Sequence, residues 1–427
     1  MEINWKKNAA LFVTGQALSL FGSMVVQYAI LWHITLKTQS GTMMTVFTVA
    51  GFLPMFFISP FGGVWADRFN RKYLINIADG AIALASLFVA ILLLFGFEHV
   101  GILLFCAIVR SFGQGVQMPA VGAFVPQIVP TEHLTRINGI QSSVQSSTAL
   151  AAPVVSAALM SFAPLEILFF LDVLTAAVGI SILFFFVKVP AAKGSVAEGS
   201  AAETPMSEGS ATEQSDSVSQ RKKPTYFHDL REGLRYIRKH RFILLMLLFS
   251  AIFMFSASPA MLLTPLQVAR NFGEEAWRLA AIEIEFSVGM MLGGLLIAAW
   301  GGFKNRVFTI SLACVLFGVG TMGLGASPSF PVYGGVMTAL GLSIPFYNAP
   351  VMVLLQSTVD PAFMGRVLSV IMMINSVIVP VGMLFFGPMA DAVSIDRILI
   401  GTGAVMALLG IPLITSKALR EAGIQSP

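Results

Sequence analysis

Charge is the scarcest thing in this chain. Only 11% of its 427 residues are Asp, Glu, Lys or Arg, whereas a water-soluble domain carries about 25%. With 56% hydrophobic residues and a mean hydropathy of +0.81, no aqueous core could hide the apolar surface, so lipid must be the solvent for most of it. Cysteine is nearly absent. Cys106 and Cys314 both lie inside apolar runs, which leaves a disulfide or a metal site little support and makes them small hydrophobes. The five histidines are scattered, and no paired-histidine motif or Ser/His/Asp set points to a membrane enzyme. The chain has no G-x-x-x-x-G-K-[ST] phosphate loop and no cytoplasmic stretch large enough for a nucleotide fold, which argues against ATP-driven pumping. The net charge of +4 is spread along membrane edges rather than gathered on one face, a poor fit to nucleic acid.

Long apolar runs are what the chain has in abundance. They fall near 11–36, 42–62, 73–96, 99–121, 139–162 and 166–187, then near 242–266, 279–300, 307–326, 331–355, 367–390 and 397–416. A spanning helix needs about 20 apolar residues, so the expectation is an all-α integral membrane protein with twelve spans in two sixes. A β-barrel would show a weaker alternation over segments of about ten residues, and none is present. The first run follows Lys6 and Lys7 but lacks a small-residue cleavage site, so it reads as a span rather than a removed signal. With the N-terminus placed in the cytoplasm, 21 of the 26 Lys and Arg residues fall in inner loops and tails and four in outer loops, with Arg110 left inside a span. That asymmetry puts both termini inside.

Composition divides the chain into a first six-helix half over 1–189, a cytoplasmic linker over 190–241 and a second half over 242–427. Residues 190–223 are rich in Ala, Ser, Gly, Glu, Thr and Pro and cannot bury enough apolar surface to offset chain entropy. From 225 to 241, Phe227, Leu230, Leu234 and Ile237 recur at helical spacing among Arg231, Arg235, Arg238 and Lys239. This pattern predicts a basic amphipathic helix on the inner leaflet. The halves are related. Gly62-Gly63 corresponds to Gly293-Gly294, and the segment Gln127 to Arg136 corresponds to Gln356 to Arg366, both at an offset of about 230 residues.

Gly63, Asp67, Arg68, Arg71 and Lys72 stand at the spacing G-x-x-x-D-R-x-x-R-K. The charge rule explains the basic residues but not the glycine or the aspartate. The stretch resembles the loop between the second and third helices of major facilitator superfamily transporters. The resemblance implies two six-helix repeats with substrate between them. It also implies that Asp67 pairs with Arg71 and faces the start of the eleventh helix near Gly365 and Arg366 while the cytoplasmic side is closed. The second half has Ala299-Trp300-Gly301-Gly302 before Lys304 and no acid there, which predicts a one-sided latch. Trp5-Lys6-Lys7, Gly15 to Leu20, Gln127 to Pro130, Ile282-Glu283-Ile284, Gly341 to Tyr347 and Phe386 to Asp391 narrow the likeness to the bacterial macrolide-efflux branch, which includes siderophore exporters. The fifth-span antiporter motif is reduced to Ala151-Ala152-Pro153 with Ala157-Ala158.

A charge at the centre of the membrane costs about 2.5–3.5 kcal/mol on translocon scales, so each one is a functional candidate. Arg110, followed by Gly113, Gln114 and Gly115, resembles the superfamily's fourth-helix motif, whose arginine is implicated in proton coupling. The alternative is an arginine paired with a carboxylate or carbonyls to hold the bundle. Asp172 in the sixth span and Glu283 and Glu285 in the eighth are the other coupling candidates. The two glutamates are about 200° apart around a helix and cannot both face one cavity; Glu283, shared with the branch, is favoured. Asp79, nearer the cytoplasm, is assigned to the gate. Cavity candidates are Gln16, Gln27, Tyr28, Asn348 and Asn375.

The expected function is proton-coupled antiport of hydrophobic or amphiphilic compounds, macrolide-type drugs first. The alternative is export of a native metabolite such as a siderophore or a lipid-like solute. No cofactor or metal is expected. The expected partners are a small hydrophobic substrate, a proton and the lipid bilayer of a bacterial plasma membrane, with the protein acting as a monomer and binding no nucleic acid.

Overall fold

The computed structural model describes residues 4–188, 226–360 and 363–415, with backbone alone for 226–231 and 413–415. The expected linker at 190–223 lies outside the described residues. Lipid offers the backbone no hydrogen-bond partners, so each spanning segment must satisfy its own N–H and C=O groups and becomes a helix. Twelve helices are long and apolar enough to span a membrane. In the first half they are α1 (Trp5–Thr38), α2 (Gly41–Arg68), α3 (Arg71–Leu94), α4 (Val100–Ile128), α5 (Leu134–Phe162) and α6 (Leu165–Ser181), which runs on as a π-helical turn to Phe186. A connecting helix, α7 (Tyr226–Lys239), precedes α8 (Arg241–Leu262), which with the short α9 (Thr264–Asn271) makes one span. Then come α10 (Ala276–Trp300), α11 (Arg306–Ala326), α12 (Phe330–Thr358), α13 (Met364–Ala392) and α14 (Ile395–Thr415). No strand occurs among the described residues.

Local chemistry sets the ends. Asn4, Ser40, Asn70 and Asn305 cap their helices by accepting a first-turn N–H, as short polar side chains do at an N-terminus. Prolines inside spans survive because neighbours take up the freed groups. Next to Pro54, for example, the Met55 N–H donates to Ser111 Oγ of α4 at 2.9 Å. We call the face where α1 begins proximal and the opposite one distal.

The halves meet through α2 with α13, α5 with α10, and α1 with α9. Among the described residues, the polar contacts between the halves lie at the distal end. Trp32, Met44 and Ala157 of the first half share one buried cluster with Phe253, Leu279 and Met383 of the second. The residues through which α2 and α13 touch, Gly41, Thr45, Met383 and Gly387, lie at the distal ends of both helices. Only 22–28% of the most apolar stretch of α2, α5, α10 and α13 is buried, against 33–56% in the other spans. The two halves therefore enclose a gap that is sealed distally and open proximally.

Sequence alone lays α7 on lipid; in the structure Tyr236 and Ile237 of this helix face protein. Ile237 is buried with Ile243, Leu355, Val367 and Val370. Tyr236 stacks on Phe363 at 4.7 Å, and Glu232 pairs with Arg366 at 3.0 Å. Leu234, on the same helix, stays 40% exposed, so α7 docks beside the start of α13 by part of its apolar side only.

Candidate functional site

The Gly63–Lys72 stretch is an elbow in which only Phe69 and Asn70 separate α2 from α3. Arg71 Nε donates to the Ala66 carbonyl at 2.8 Å and its Nη1 to the Ala123 carbonyl at 3.0 Å. Lys72 Nζ reaches the Phe184 and Val187 carbonyls at 2.9 and 2.7 Å. Both cations thus sit at helix C-terminal ends, where the dipole favours them. Asp67 is different. Its side chain is 79% exposed and touches Arg71 at 3.6 Å. A side chain at Gly63 would meet nothing within 4 Å, and Arg68 is exposed. Gly365 also faces open space, and Arg366 is engaged with Glu232. The contact expected between Asp67 and the start of α13 is not formed in this conformation.

Arg110 and Asp172, separate candidates in the sequence, are joined here in one buried ion pair. The Asp172 carboxylate also accepts from Ser86 Oγ at 2.7 Å and Ser23 Oγ at 3.1 Å, and Arg110 donates to Ser86 Oγ at 2.7 Å and to the Ser23 carbonyl at 2.8 Å. Four helices, α1, α3, α4 and α6, are tied by these groups. The serines were not among the candidates, because a lone serine in an apolar run carries no sequence signal.

Asp79 is 5% exposed and does not belong to the elbow. It accepts from Gln16 Nε2 at 3.4 Å, and Gln16 Oε1 accepts from Gln117 Nε2 at 2.7 Å. Gln16 is therefore committed to this cluster. Gln27 lies against Gly51 of α2. Tyr28 packs against the cores of both halves, with Trp32 at 5.5 Å and Glu283 of α10 within electrostatic reach across the gap. Glu285 points the other way, into α12, so close that a Cβ on Gly334 would lie 2.2 Å from its carboxylate; its Oε2 is buried without a partner. Asn348 is exposed on α12. Asn375 is half-buried, with its Oδ1 unpartnered.

Two features were given no site role by the sequence. One is polar and lies on α5: Ser142, Ser143, Gln145, Ser146 and Ser147 are all exposed, eight to thirteen residues past Leu134, or about 12–20 Å along the helix. Amides and hydroxyls are costly in hydrocarbon, so this stretch belongs to the gap. The other is Asp391 at the distal end of α13. Its Oδ1 accepts from Gly41 N at 2.7 Å, and its Oδ2 accepts from Thr42 N and Ser40 Oγ, both at 2.9 Å. Arg270 pairs with it at 3.1 Å. The carboxylate sits on the N-terminus of α2, where unsatisfied N–H groups and the dipole both favour an anion. Gly41 permits the approach, because a Cβ there would lie 2.2 Å from the Gly387 carbonyl.

Residues 12–383 match the Major Facilitator Superfamily. The chain belongs to that superfamily. It is 28% identical to macrolide efflux protein A of Streptococcus pyogenes over 96% of this chain and 95% of that one. It is equally identical to macrolide efflux protein A of Enterococcus faecalis over 81% of this chain and all of that one. Among solved structures, a bacterial homologue of the human lysosomal transporter Spinster, in an inward-facing and unoccupied conformation, aligns with a TM-score of 0.66 at 14% identity over 99% of this chain and 98% of that one. A bacterial homologue of ferroportin aligns with a TM-score of 0.65 at 12% identity over 96% and 99%. The fold is that of the superfamily, and the chain is a multi-pass membrane transporter. The gap is the candidate site, with the exposed α5 stretch and with Tyr28 and Glu283 within electrostatic reach of each other.

Proposed function

We propose that this transporter exports hydrophobic or amphiphilic compounds, macrolide-type drugs first, in exchange for protons by alternating access. The observation that carries the reading is the gap: closed distally, open proximally, and lined at membrane depth by an exposed polar stretch and one facing carboxyl. Such a cavity is mostly apolar with a few oriented polar groups, which suits a bulky amphiphile. The substrate class comes from the two macrolide efflux relatives. The excess of Lys and Arg on the proximal side orients that face to the cytoplasm, so the cavity in this conformation loads from inside the cell, in a bacterial plasma membrane.

Glu283 is the exchanging carboxyl in this reading. Across the gap from Tyr28 it can hold either a proton or the polar edge of a substrate, and a proton gradient then drives the exchange. Gly63 and Asp67 stand ready for α13 when the proximal side closes. Export of a native solute, such as a siderophore or a lipid-like molecule, is the second reading. It is favoured by the hydroxyl and amide groups of α5, which would bind a polyol as readily as a drug.

Inverted vesicles test both. Macrolide accumulation driven by an imposed pH gradient and abolished by an uncoupler is expected, and Glu283→Gln should abolish it with the protein still folded. Normal gradient-driven transport by that variant would remove Glu283 from the mechanism. Proton movement with neither macrolides nor dyes would turn attention to the native solute.

A further inference from the structure

Three helices of the first half carry polar residues at one interval. Gln16 and Ser23 on α1, Asp79 and Ser86 on α3, and Gln117 and Arg110 on α4 are each seven residues apart. Seven residues make two turns, so both members of each pair share a helix face about 10 Å apart. α4 runs against α1 and α3, and its pair is reversed to match. The result is two stacked polar layers. The distal one is neutral as a set, with Arg110 and Asp172 joined and each bonded to both serines. The proximal one holds a carboxyl and two amides, with no cation within ion-pair distance of Asp79 among the described residues.

That inequality needs a reason, since an uncompensated buried charge is expensive. The ionisable groups nearest Asp79 on the helices packed against α3 are Arg110 of α4 and Asp172 of α6, and they are spent on each other one layer away. α2 brings Asp67 and Arg68 only at its proximal end, and the π-helical turn brings none. Lys72, on α3 itself, is held by the Phe184 and Val187 carbonyls. Gln16 and Gln117 are each half-exposed. At membrane depth an exposed amide faces lipid or the gap, and the cost of an amide in lipid selects the gap.

We propose that Asp79 is a second proton-binding carboxyl of the transport cycle, sensed at the cavity wall through Gln16 and Gln117. This rests on the proton-coupled reading above. The step is a simple transfer: hydronium in the proximal gap gives its proton to an Asp79 oxygen and leaves as water, and release is the reverse. An ionised carboxyl only accepts hydrogen bonds, so Gln16 turns its N–H to Asp79 and its carbonyl to Gln117. A protonated carboxyl has an O–H to donate. When that O–H is given to Gln16, Oε1 accepts it, Nε2 turns to Gln117, and Gln117 presents its own carbonyl. One proton inverts two amides on the wall that a substrate meets.

Purified protein in liposomes decides the matter. Under an imposed gradient of about one pH unit, each coupled proton multiplies the limiting accumulation ratio of a radiolabelled macrolide about tenfold. Asp79→Asn should lower that ratio about tenfold. Asp79→Glu should restore the ratio. An unchanged ratio in Asp79→Asn overturns the proposal and leaves proton coupling standing. A wild-type protein that accumulates nothing overturns the underlying reading instead. Should the Asn variant fail to fold, a hydrophobic carbodiimide on the native protein reads the same site by peptide mass spectrometry. Labelling of Asp79 that declines as pH rises, with Asp172 unlabelled, is expected; no labelling of Asp79 from pH ~5 to ~9 refutes the assignment.

Discussion

Removing the Asp391 carboxylate should open the distal seal. The side chain accepts three hydrogen bonds at the start of α2 and pairs with Arg270. A hydrogen bond to a charged group contributes about 1.5–3 kcal/mol when well shielded, and an anion at a helix N-terminus about 0.3–1 kcal/mol more. Asp391 is 31% exposed, so the lower values apply and the bonds are not additive. About 2–4 kcal/mol of preference for the distally closed state is a fair sum, against which Asp391→Asn, keeping shape but not charge, should lose about half. A shift of 3 kcal/mol changes a two-state ratio roughly 150-fold, enough to bring a rare distally open state into view. Dyes on cysteines at Phe97 and Pro328, on exposed distal loops of opposite halves, would report it by single-molecule energy transfer; Cys106 and Cys314 are buried and free. Asp391→Ala should add a long-distance population that Arg270→Ala adds only in part. Identical distributions in wild type and Asp391→Ala would show that apolar packing alone holds the seal.

Two further expectations concern the interiors of the halves. Asp172→Asn leaves Arg110 buried without its counter-charge, which costs about 3–5 kcal/mol, and should lower the melting temperature in detergent far more than the paired change Arg110→Leu with Asp172→Leu. A paired variant no more stable than the single one would refute this account of the ion pair. Gly334→Ala places a methyl 2.2 Å from the Glu285 carboxylate and should destabilise the second half, with Glu285→Ala restoring it in a double mutant measured the same way.

The spans were legible because lipid demands an unbroken apolar run, and each such run is local in sequence. Arg110 and Asp172 were each legible as charges in the wrong solvent, but not their union, which brings together residues 62 apart in sequence across two helices. The α5 stretch was hidden by averaging, since the apolar residues around Ser142 to Ser147 carry the run. Asp391 was legible as the end of the Phe386 to Asp391 motif, but an acid where a span ends costs little, so no role could be read from it. Asp79 drew attention as an acid near a known loop. Helix rotation, which no sequence prints, decides that it faces Gln16 instead.

Asp391 also changes what the missing acid of the second half means. Comparing equivalent loops finds Asp67 without a copy, but α2 and α13 are antiparallel neighbours, so the useful comparison is between opposite ends of one pair. Gly63 and Asp67 close α2 with the spacing G-x-x-x-D, and Gly387 and Asp391 close α13 with the same spacing. At the distal end the glycine pair and the acid are engaged with the N-terminus of α2. At the proximal end the same parts stand apart, and in the proposed cycle they engage the N-terminus of α13. Latches of similar strength at the two ends would let the halves rock between states of similar energy, as a carrier that must turn over requires. The inequality comes from α7, whose Glu232 holds Arg366 and whose Tyr236 covers Phe363. Proximal closure must bring Asp67 to a helix end that the connecting helix already occupies, and that favours the open, loading state seen here.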